Sequence, residues 1–178
     1  MKKLVLKYSD GSTEEKSIPE SFEELTFEIY LKALNAPNDW FDQVHALTDI
    51  PIDLLHSLDL NSSIILRKTI APLFIRENLL KFDSPVFAGV PEIEIENESW
   101  NKIEIAKKIV SKYVENEKDI LNAFPEILQT YRPELTIEKT LSEPVSKWFG
   151  FANFFLSGLI GSWIVIQNLT TNQTTPTS

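Results

Sequence analysis

Two histidines, His45 and His56, are the residues of this chain best suited to acid–base or metal chemistry. An imidazole ligand needs companions at helical spacing, and neither a His-x-x-x-His nor a Glu-x-x-His pattern is present. Both are therefore expected to be ordinary, partly exposed side chains. The acidic run Glu92, Glu94, Glu96 and Glu98 offers hard oxygen ligands for a cation. A calcium loop wraps its ligands around the ion, whereas alternation along a strand spreads them in a row. The expected role is a solvated or partner-facing edge, whose charges also discourage unwanted strand pairing. Glu14-Glu15 and Glu23-Glu24 fall in hairpin or turn positions, without the apolar pocket that raises the pKa of a general acid. There is no cysteine to act as nucleophile, thiolate ligand or disulfide partner. No Gly-x-Ser-x-Gly elbow occurs, and Gly158-Leu159-Ile160-Gly161 lies in an apolar stretch rather than a phosphate loop. The expectation is a chain with no catalytic, cofactor-binding or metal-ligating residues, and so not an enzyme.

A net charge of -9 argues against a nucleic-acid surface, which needs clustered Lys and Arg to displace counterions. Lys107, Lys108 and Lys112 are interleaved with Glu104 and Glu115, as on a solvated helix face. At 178 residues and 43% hydrophobic content the chain can bury a real core in one domain. Met1 to Lys7 carries too few apolar residues for a secretory signal.

The pattern predicts a mainly α fold: a helical, bundle-like body with an N-terminal β-hairpin and a short β arm. In residues 1–20, Leu4, Leu6 and Tyr8 alternate on one side of a strand, and Ser9-Asp10-Gly11-Ser12 supplies the turn. Residues 21–80 form the first helical part. Thr26 caps a helix striped by Phe27, Tyr30, Leu31 and Leu34; Trp40, Val44 and Leu47 make the next stripe. Asp49 and Pro51 are expected to open a third helix. Asn61 or Ser62 is expected to cap a fourth, which Pro72 kinks or ends. Residues 81–98 read as a β arm through Glu92-Ile93-Glu94-Ile95-Glu96. Residues 99–169 form the second helical part. Its helices run from Ser99 to about Val114, from about Asp119 to Tyr131 with Pro125 disturbing the middle, and onward from Ser142-Glu143-Pro144. Residues 170–178 read as a tail.

From Trp148 onward no residue is charged. The apolar stretch to Ile166 approaches the length of a bilayer span, with Trp148 and Trp163 near its ends. Asn153, Ser157, Ser162 and three glycines dilute it. A central core helix, a subunit interface and a membrane contact all fit this composition, membrane contact least well. Trp148, Phe151, Phe155, Leu159, Trp163 and Ile166 are thus candidate interface residues, together with Glu92, Glu94 and Glu96 on the arm.

The helix starts carry one further signal. Ile18-Pro19-Glu20-Ser21-Phe22-Glu23-Glu24-Leu25-Thr26-Phe27 joins the hairpin to a capped helix, and Leu47-Thr48-Asp49-Ile50-Pro51 follows. Over roughly Ile18 to Leu60 this arrangement resembles small virion-assembly accessory proteins of tailed phages that infect Bacteroidetes-type bacteria, crAss-like phages included. The resemblance implies a non-enzymatic structural or cargo protein at portal, neck, tail or capsid interior. Its partners would be phage structural proteins and other copies of itself, in the host cytoplasm during assembly and then in the virion. A tail-assembly chaperone and a membrane-contacting ejection protein are the alternatives that go with it.

Overall fold

A computed structural model describes residues 1–37, 39–75, 78, 99–150, 152 and 156. The fold is mainly α with an antiparallel hairpin at its start. Strands β1 (Lys2–Lys7) and β2 (Thr13–Ile18) pair in a register running from Lys2 opposite Ile18 to Lys7 opposite Thr13. The Tyr8 N–H donates to the Ser12 carbonyl and the Gly11 N–H to the Tyr8 carbonyl. The three-residue loop closes through Gly11 at φ 86°, a left-handed conformation that glycine adopts without a Cβ clash. Leu4, Leu6 and Tyr8 face inward as their alternation requires, and Val5 on the other face is 65% exposed.

The helices that follow are α1 (Phe27–Asn35), α2 (Trp40–Thr48), α3 (Ile52–His56), α4 (Leu60–Ile70), α5 (Trp100–Glu115), α6 (Phe124–Tyr131) and α7 (Ile137–Ser142). Residues 145–150 are helical as well. Thr26 caps α1, its hydroxyl accepting from the Ile29 N–H at 3.3 Å, and Asp39 caps α2 through the Phe41 N–H at 2.7 Å. Two expected caps are corrected. Asp49 does not open α3 but closes α2 at φ 57°, its N–H donating to the His45 carbonyl; Pro51 alone occupies the position before α3. Neither Asn61 nor Ser62 caps α4. Asp59 does, because its carboxylate reaches the Ser62 N–H at 2.7 Å while Ser62 itself is drawn inward to the hairpin. Pro72 ends α4 in a 3-10 turn, Ala71–Phe74. Pro125 sits in the first turn of α6, after the 3-10 turn Ile120–Ala123, so its missing N–H costs no hydrogen bond.

One core runs from the hairpin to Leu156. At its centre the Phe27 and Phe124 rings lie 6.0 Å apart edge to face, and Trp148 lies 6.3 Å from Phe124. The start of α1 is strapped to the start of the 145–150 segment. The Phe27 N–H donates to the Glu143 carbonyl, and the Val145 N–H to the Leu25 carbonyl, both at 2.8 Å. Trp148, Phe149, Ala152 and Leu156 are all buried. The beginning of the apolar C-terminal stretch is therefore core. The 81–98 arm, with Glu92, Glu94 and Glu96, and the candidates Phe151, Phe155, Leu159, Trp163 and Ile166 lie outside the described residues.

Candidate interaction surfaces

Helix α4 divides its residues between two environments. Ser62, Leu66 and Ile70 turn inward, a turn apart along one stripe. On the opposite stripe Leu60 is 79% exposed and Ile64 43% exposed, with Lys68 one turn further on. Ile65 flanks them, also exposed. Single exposed apolar side chains are ordinary on a protein surface; Leu60 and Ile64 differ in being stacked on one helix face.

The N-terminal end of that helix is fastened to β1. The Asp59 N–H donates to the Lys7 carbonyl at 2.9 Å, the Ser9 N–H to the Ser57 carbonyl at 2.7 Å, and the Lys7 N–H to the Ser62 hydroxyl at 2.8 Å. Ser62 also holds the Asp59 carboxyl below its usual range, through hydrogen bonds from its N–H and side chain. The outer edge of β1 is thus closed at Lys7.

The outer edge of β2 is different. The Tyr8–Ser12 bond fixes which residues exchange bonds across the hairpin: Glu14, Lys16 and Ile18 face β1. The backbone groups of Thr13, Glu15 and Ser17 therefore point away from the sheet. No backbone bond within the described residues engages them. At the Ser17 end a cavity of about 570 Å³ opens beside this edge, lined by Pro19, Ile29, Ala46, Leu47 and Asp49 among others. The Met1 ammonium and Lys32 in its lining are already paired, with Glu24 and Glu28. The exposed Asp49 carboxylate has no ion-pair partner among the described residues. His45 lines the same cavity, with Nδ1 at 2.9 Å from the Ile50 carbonyl oxygen. A carbonyl only accepts, so Nδ1 carries the proton. His56 lies against Phe41, ring centroids 4.0 Å apart. The two histidines serve different neighbours.

A second cleft, about 450 Å³, lies between α1, α5, α6 and α7. Asn35 and Asn122 clasp each other across it with paired amide bonds of 2.7 and 3.1 Å. The Tyr113 hydroxyl donates to Glu126 Oε1 at 2.6 Å, and Lys112 Nζ lies 3.0 Å from the same oxygen. Burial and then the Glu126 carboxylate push the Tyr113 hydroxyl up to about 12. Burial acts to raise Glu126, but the Tyr113 and Lys112 donors outweigh it and hold the carboxyl below its usual range. At neutral pH the tyrosine keeps its proton and the glutamate stays ionised, so the group works as a tie between α5 and α6. Tyr8, Glu14 and Lys16 repeat the arrangement on the hairpin, and Tyr8 is likewise pushed up to about 12, first by burial.

Of the candidates named from sequence, Trp148 is placed inside this chain's own core, 1% exposed. This burial fits the core-helix alternative for the start of the apolar stretch. Helix α7 and the cleft beside it went unforeseen, although Thr136 is a local sign: its hydroxyl accepts from the Lys139 N–H at 3.2 Å. Among the described residues no group of His, Asp and Glu is arranged to hold a metal, and no helix is long and apolar enough to cross a membrane. Compared with known proteins, the chain matches no family model, no curated relative and no solved structure.

Proposed function

We propose that this chain is a non-enzymatic component of a tailed-phage particle that acts by binding other copies of itself and neighbouring structural proteins. The observation that carries the protein-contact part is the outward face of α4, where Leu60 and Ile64 stand in water on a helix whose other side is core. Covering these two side chains with another subunit would contribute about 2–3 kcal/mol, on the usual scale for apolar burial. The phage setting is supported by the resemblance of the 18–60 helix-start pattern. Lysine crosslinking of purified particles followed by mass spectrometry tests both parts. The expected result is an abundant chain with crosslinks from Lys68, beside Ile64, to another copy or to a particle protein. Absence of the chain from mature particles would contradict the proposal and favour the assembly chaperone.

A further inference from the structure

Resting on the reading that this chain works through protein contacts, we infer that the outer edge of β2 and the cavity at its Ser17 end form one docking groove. The occupant is an extended segment of a partner protein that carries a basic residue beside an apolar one. Thr13, Glu15 and Ser17 present a row of outward N–H and C=O groups over about 14 Å, at the rise per residue of a strand. Such a row is satisfied in full by another strand. β1 offers a shorter edge, because the outward groups of Lys7 are already taken by Asp59 and Ser62.

Side chains then restrict the choice. A strand paired past Ser17 places alternate side chains at the cavity, where Pro19, Ile29, Ala46 and Leu47 offer apolar contact. The positive groups of that lining already have acidic partners, which leaves the Asp49 carboxylate at the rim as the charge to be answered. Its position follows from the left-handed turn at φ 57° that ends α2. Lys or Arg in the incoming strand matches it, and a net charge of -9 draws a basic segment toward the chain from a distance. Glu15 lies on the same edge and is paired with Lys3 of its own hairpin, at 2.7 Å.

The test uses the full-length chain labelled with 15N and a capped peptide of alternating Lys and Val with one central Leu. Titration should shift the amides of Thr13, Glu15 and Ser17 and those of Ala46 to Asp49. Ser17→Pro removes an outward N–H without touching a bond to β1, and should weaken binding roughly fivefold or more, as loss of one hydrogen bond does. Ala46→Trp fills the cavity from α2 and should weaken the same peptide with the strand edge unaltered. Unchanged amides at millimolar peptide would overturn the inference, as would parental affinity in both variants. Shifts of the same amides on concentrating the protein alone would overturn it in favour of a second copy as occupant. Either failure leaves the α4 face and its crosslinks untouched, so the two proposals fail separately.

Discussion

Phe124 and Leu60 mark two regions that use apolar residues in opposite ways. Around Phe124, the rings of Phe27 and Trp148 and the strap between Leu25 and Val145 leave nothing for an outside molecule. Around Leu60, the chain invests hydrogen bonds in fixing a helix to a hairpin, then leaves Leu60, Ile64 and Val5 in water. The first region sets how stable the protein is. The second is the surface we propose for partner contact, and its attachment to β1 presents it in one geometry.

Substitutions should separate the two. The largest effect is expected at the centre: Phe124→Ala removes a fully buried ring shared by α1 and the 145–150 segment, and should cost about 3–5 kcal/mol in urea unfolding. A similar loss for Leu60→Ala would erase the distinction. Next comes Thr26→Ala, which deletes the α1 cap and should cost about 1 kcal/mol by the same measurement.

Titration of the ties gives a smaller signal with opposite signs at the two ends of the pH range. Tyr8 and Tyr113, raised from 10 to about 12, favour the folded chain fully below pH 10, and this contribution is lost as pH rises to 12. Asp59 and Glu126, both lowered, contribute above the normal carboxylate range and lose that contribution as pH falls through their folded-state values. Melting temperature followed from pH 3 to 12 should therefore fall at both ends, and Tyr113→Phe should flatten the alkaline limb. An unaltered alkaline limb in that variant would show that the tie between α5 and α6 has no weight.

The regions also differed in how far the sequence disclosed them. The hairpin was readable because its signals are local: an Asp-Gly turn and a period of two. The cap at Thr26 sits next to the helix it starts. Asp59 was passed over for Asn61 and Ser62, since the choice depends on Ser62 being pulled toward Lys7, a contact 55 residues away. The stretch that begins at Trp148 suits a core, an interface or a membrane contact by composition, and only the packing of Trp148 against Phe124 puts its start in the core. The open edge of β2 and its cavity unite Ser17, Ile29 and Ala46, which no single periodic stripe connects.

The account stands on the claim that the outward face of α4 binds another subunit while contributing nothing to the fold. Sedimentation velocity over a hundredfold concentration range, on the parent chain and on the double variant Leu60→Lys/Ile64→Lys, tests it most directly. The expected result is reversible association of the parent and a monomeric variant whose unfolding free energy lies within about 0.5 kcal/mol of the parent. A parent that stays monomeric at the highest concentration, or a variant that associates as before, would contradict it.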